Sequence, residues 1–102
     1  MTRIEDSNGY AEFIIAENCG FKLFYDVAAR LERLLGVEFT NKVDDFDALY
    51  WCFNYQKSRL ILHYSIYSGI SIYPENSKGA NRAENESVDS IAHYWLAKEP
   101  LL

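Results

Sequence analysis

Cys52 and His63 form the one thiol–imidazole pair in this sequence that its layout brings close enough to suggest nucleophilic catalysis. A cysteine nucleophile needs a base within hydrogen-bond reach and a third group to orient that base, best at a helix N-terminus or a sharp turn. Both residues fall within runs that read as mid-strand, with no glycine-rich oxyanion turn beside them. Geometry comes before pKa in naming a catalytic group. No catalytic residue is therefore assigned, and a small cysteine-dependent enzyme is kept as the last alternative.

Metal and phosphate chemistry fare no better. The two histidines, His63 and His93, lie on different elements without HxH, HExxH or CxxC spacing. Asp44, Asp45 and Asp47 crowd three carboxylates into a short stretch, but a calcium loop needs a longer ligand series around a central glycine. The five glycines, Gly9, Gly20, Gly36, Gly69 and Gly79, are scattered, so none builds a phosphate cradle. The reading is no metal and no cofactor. Asn85-Glu86-Ser87 matches a glycosylation triplet, which matters only for an exported chain.

Ten Lys and Arg stand against fifteen Asp and Glu in 102 residues, a formal charge of −5. Phosphate-rich partners require a positive footprint, so nucleic acid and anionic membrane are disfavoured and a basic protein partner is favoured. The N-terminus is polar and acidic, unlike a signal or transit peptide. No apolar run approaches the roughly 18 residues a spanning helix needs. With two cysteines and no export signal, a cytoplasmic chain with reduced thiols is the expectation.

The elements that position these residues are legible. Apolar residues at 49% and aromatics at 16% support a single packed domain, residues 10–102, after a mobile tail at 1–9. Tyr10–Ala16 reads as a strand with Phe13 and Ile15 on one face and Ile14 on the other, placed inside the sheet. Phe21, Phe24, Val27, Ala28, Leu31, Leu34 and Leu35 recur at helical spacing. Asn18 is the expected N-cap, Asp26 and Arg30 an i,i+4 pair, and Gly36 the stop. An acidic connector over 37–47 follows, held to the core by Phe39, Val43 and Phe46. A second helix over about 83–98 carries Val88, Ile91, Ala92, Trp95 and Leu96, and Pro100 ends it. The fold expected is α+β in the order β-α-β-β-β-α, a four-stranded sheet with two helices on one face.

The centre of the chain, 48–73, reads as an antiparallel meander. A two-residue turn at Lys57-Ser58 pairs Phe53 with Leu62 and Trp51 with Tyr64. A three-residue loop, Tyr67-Ser68-Gly69, pairs Ile66 with Ile70 and Tyr64 with Ile72. One face then holds Trp51, Phe53, Leu62, Tyr64, Ile66, Ile70 and Ile72. The other lines up Cys52, His63 and Tyr73, with Tyr50, Ser65 and Ser71 in the next row.

Tyrosines on a face that helices leave bare suit a protein interface, because they join large apolar area to a polar tip. In size, charge and layout, the whole chain is similar to the small acidic bacterial immunity proteins of toxin–immunity systems, including contact-dependent inhibition. That resemblance implies a non-enzymatic inhibitor that occludes a cognate basic toxin, such as a nuclease domain, and carries no residue roles with it. From the chain's own residues, Asp44, Asp45 and Asp47 are expected to steer the partner. Tyr50, His63, Tyr67 and Tyr73 are expected to contact it. The alternative is a homodimeric structural or regulatory domain whose tyrosine face pairs with itself.

Overall fold

A computed structural model describes residues 3–7, as backbone, together with 10–76 and 82–98. The chain runs β1 (Arg3–Ser7), β2 (Tyr10–Ala16), α1 (Phe21–Leu35), β3 (Thr40–Asp44), β4 (Ala48–Tyr55), β5 (Ser58–Ser65), β6 (Gly69–Pro74) and α2 (Arg82–Lys98). The class is α+β. The strands form one sheet in the order β1-β2-β6-β5-β4-β3, and every neighbouring pair is antiparallel.

Both helices cover the same face. Phe13, Ile15, Leu49, Trp51, Phe53, Leu60, Leu62, Tyr64, Ile70 and Ile72 form one buried cluster with Phe24, Val27, Ala28 and Leu31 of α1 and Val88, Ile91, Ala92 and Trp95 of α2. Each fully buried large apolar side chain contributes about 1.5–3 kcal/mol relative to exposure, so this layer dominates the stability. Polar contacts then fix the angle of α2. Asn85 Oδ1 accepts the amide of Ala11 at 2.9 Å, and the Ser58 and Ser87 hydroxyls meet at 2.9 Å inside the packed layer.

The sheet has six strands where the sequence reading provides for four. Part of the expected N-terminal tail is β1, whose register sets Arg3 opposite Ile14 and Ser7 opposite Tyr10. The acidic connector holds β3, an edge strand with every residue exposed. Its pairing with β4 shifts between Thr40 and Val43, and Asn41 sits at φ +48°. Such an irregularity blunts an open edge against further pairing. Alternation cannot reveal a strand like this, since neither of its faces is buried. The strand at 10–16 is interior, as its apolar content on both faces requires: β2 lies between β1 and β6.

Both hairpins differ from the expected register by two residues. The first turn is Gln56-Lys57, with φ of +51° and +66°, so Tyr55 faces Ser58, Phe53 faces Leu60 and Trp51 faces Leu62. Ser58 lies in β5 rather than in the turn, with its buried hydroxyl bonded to Ser87. The second loop has the expected three residues but comprises Ile66, Tyr67 and Ser68, with Gly69 at φ +80° starting β6. Tyr64 accordingly faces Ile70 and Leu62 faces Ile72. A shift of two keeps each side chain on its face and changes only its neighbours.

Several local expectations are corrected. Helix α1 begins at Phe21 with Gly20 at its N-cap position and no side-chain cap, while Asn18 adopts φ +53°. Val43 is 54% exposed, Phe46 95% and Ile66 50%, so none of them anchors to the core, and Leu96 is exposed as well. Phe46 sits at the tip of a loop that the Asp45 amide closes on Ala48 O at 2.8 Å, too short to fold its ring back. Phe39 is buried, Gly36 ends α1 at φ +67°, and Asp26 pairs with Arg30 at 3.0 Å. Pro100 and residues 77–81, within the apolar-poor stretch between β6 and α2, lie outside the described residues. No helix among the described residues is long and apolar enough to cross a membrane.

Candidate binding face

The face of the sheet opposite the helices is the candidate site. Its residues are the alternate positions of the strands whose other positions fill the core, so core packing fixes their direction. One row crosses the sheet through Val43, Tyr50, His63, Ser71 and Ile14, each the register partner of the next. The adjacent row is Cys52, Ile61 and Tyr73.

The register shift rearranges the expected neighbours. His63 lies opposite Tyr50 rather than Cys52, and their rings stack with centroids 4.7 Å apart at 28°. Tyr73 approaches His63 diagonally, edge-on at 5.8 Å, and packs on Tyr10 at 6.0 Å. Tyr10, Tyr73, His63 and Tyr50 thus form a continuous half-buried aromatic band from β2 to β4. Offset and edge-to-face pairs of this kind add about 0.5–1.5 kcal/mol each beyond area burial. Tyr10 is absent from the sequence-predicted set, although its alternation with Ala11 and Phe13 places it on this face.

Burial sets the protonation of the band. It pushes the Tyr73 hydroxyl up to about 12, and the nearby acidic groups Tyr50, Glu12, Tyr10 and Cys52 add to the shift. Burial also lowers His63, so the imidazole is neutral at physiological pH. An unfolded histidine titrates near 6.5. Because the folded value is lower, the unfolded chain takes up the proton first, and stability falls as pH drops below about 6.5 toward the folded value. The urea midpoint should therefore decrease between pH 7.5 and pH 5.5. His63→Phe should remove most of that decrease, and an equally steep profile in the variant would count against the assignment.

Cys52 is bound into a different arrangement. Its Sγ donates to Glu75 Oε2 at 3.4 Å, the Arg59 Nε donates to the same oxygen at 2.9 Å, and Arg59 Nη1 donates to Asn54 Oδ1 at 3.4 Å. Burial first and the Glu75 carboxylate second push the Cys52 thiol up. A nucleophilic thiol needs the opposite, a lowered pKa beside a base, and the Cys52–His63 pairing envisaged from sequence is not made. No cluster of three His, Cys, Asp or Glu among the described residues is arranged to hold a metal, and no pocket opens among them.

The three aspartates make different contacts. Asp44 accepts the Trp51 indole N–H at 2.8 Å, with Lys42 Nζ 4.3 Å from the centroid of the same ring. Asp44 is therefore an exposed residue that also braces the helix-covered side. Asp45 accepts the Phe46 amide at 3.1 Å through Oδ1. The backbone carbonyl of Asp47 accepts the Ile66 amide at 3.2 Å, tying the β3–β4 loop to the β5–β6 loop. Tyr67, 84% exposed, stands on that second loop. Of the expected contact residues, Tyr50, His63 and Tyr73 come together on the sheet, and Asp45, Asp47 and Tyr67 come together at its end.

No curated protein and no solved structure matches this chain. A family model does match, over a span that includes all six strands, α1 and the first half of α2. The chain belongs to the family described as protein of unknown function (DUF3630), whose model matches residues 1–90.

Proposed function

We propose that this protein is a non-enzymatic binding module that occludes a basic protein partner with the open face of its sheet. An antibacterial toxin domain is the kind of partner suggested by its resemblance to immunity proteins in size, charge and layout. The observation that carries the reading is the aromatic band Tyr10–Tyr73–His63–Tyr50, ordered by ring packing on the face that neither helix covers. Half-exposed tyrosines ordered by ring packing are typical interface anchors. A net charge of −5 favours association with a cationic surface.

Ile61→Arg tests this. Ile61 is half-buried between Cys52 and Tyr73, so the substitution puts a like charge in the middle of the face without touching the core. With a basic protein recovered by co-purification, affinity should fall about 100-fold or more, in line with the several kcal/mol cost of juxtaposed like charges. Tyr94→Arg, on the exposed side of α2, should leave affinity unchanged. Equal affinities for wild type and Ile61→Arg would place the interface elsewhere.

A further inference from the structure

Beyond the aromatic band, the end of the sheet carries apolar side chains with no structural use. Phe46 is 95% exposed and Tyr67 84%, on two loops joined by the hydrogen bond from the Ile66 amide to Asp47 O. Both loops are braced internally. The Asp45 amide bonds to Ala48 O, the Phe46 amide to Asp45 Oδ1, and the Tyr67 and Ser68 amides to Ser65 Oγ at 3.0 and 3.1 Å. A phenylalanine held in water on a braced loop adds nothing to folding, since it forgoes the roughly 1.5–3 kcal/mol that burial would yield. With the loop backbone already braced, however, docking has only the ring's own rotamers left to order, which favours binding.

We propose that Phe46 and Tyr67 are paired anchors that insert into an apolar pocket on a second protein, and that Asp45 and Asp47 meet a basic rim around that pocket. This rests on the reading of the chain as a protein-binding module and adds the chemistry of the partner. Charge selects the occupant. Carboxylates on both sides of Phe46 repel an anionic lipid surface, and in a two-fold dimer through this knob they would face their own copies. A cationic protein surface satisfies both the rings and the charges.

The test is selection of binders from a phage-displayed library of short random peptides on the immobilised full chain. Selected peptides should place Lys or Arg beside bulky apolar residues. Their affinity should fall about 30-fold or more in Phe46→Ser and Tyr67→Ser, the size of a hot-spot loss, while Tyr94→Arg, on the exposed side of α2, leaves it intact. Both serine variants should keep the wild-type melting temperature, because neither ring is packed. Peptides without basic residues, affinity indifferent to Phe46→Ser, or an empty selection would overturn the proposal. So would Phe46-dependent dimerisation in sedimentation, or Phe46-dependent binding to phosphatidylcholine–phosphatidylglycerol vesicles. A co-purified basic partner that responds to Ile61→Arg but not to Phe46→Ser would leave the sheet-face reading standing and remove this one. The reverse pattern would do the opposite.

Discussion

Gly69→Ala is expected to destabilise the protein by about 3 kcal/mol or more. Two costs combine. Gly69 begins β6 at φ +80°, a region that costs a non-glycine residue about 1–2 kcal/mol. A Cβ there would also lie 2.1 Å from Ala16 O and 2.8 Å from Glu17 Cα. Those are backbone atoms at the end of β2, so relief requires parting β2 from β6, and overpacking of that kind costs about 1–3 kcal/mol. Gly36→Ala is the control. Gly36 has a similar φ of +67°, but a Cβ there would meet nothing within 4 Å. It should lose only the conformational part, about 1–2 kcal/mol. Urea titrations of both variants decide the matter, since equal losses would show that the close approach of Gly69 to β2 is not a constraint. In a domain of this size each kcal/mol lowers the melting temperature by about 4–8 °C.

Trp51→Ala should be comparably severe, costing about 3–5 kcal/mol. The indole sits between layers, with Phe24 at 5.0 Å edge-on, Phe39 at 5.7 Å and Tyr25 at 5.6 Å, while its N–H is held by Asp44. It thereby joins α1, the segment between α1 and β3, and the edge strand β3 itself. Trp51→Phe keeps most of the ring packing and breaks the hydrogen bond, for a loss of about 1–2 kcal/mol, and Asp44→Ala should cost a similar amount because the buried side of the indole is left without its acceptor. A double-mutant cycle between Trp51→Phe and Asp44→Ala should show strong coupling. Additive losses would mean that the 2.8 Å contact contributes nothing. The result bears on function, because a charge reversal at Asp44 would weaken the fold as well as any electrostatic attraction. Asp45 and Asp47 are the cleaner positions for testing steering.

Much of this architecture was legible because strong burial leaves periodic traces. The stripe from Phe21 to Leu35 and the alternation through 48–73 each place one apolar face, and that was enough for the two helices, the meander and the division of its two faces. The strands that escaped notice are the peripheral ones. Thr40–Asp44 buries nothing, and Arg3–Ser7 mixes charges throughout, so neither presents a period to read.

The site was legible to the same degree. Which side chains share the open face follows from alternation alone, and Tyr50, His63 and Tyr73 are on it. Which of them touch does not follow, because a register shift of two preserves faces while replacing every neighbour. That shift separates His63 from Cys52 and stacks it on Tyr50. The observed register of the first hairpin goes with a buried hydroxyl contact, Ser58 to Ser87, between residues far apart in the sequence. Hydrophobicity alone places Phe46 against the core, whereas the aspartates on either side of it mark a solvent-exposed tip.

The sequence by itself determined the two helices, the four interior strands, most of the helix-covered core and the acidic, tyrosine-rich character of the chain, since these depend on periodicity and composition. Only the tertiary structure decided the strand order, the register, the aromatic band running to Tyr10, the use of Asp44 by Trp51 and the joined loops that hold Phe46 and Tyr67 in water. Those features depend on contacts between residues distant in sequence, and no local pattern encodes them.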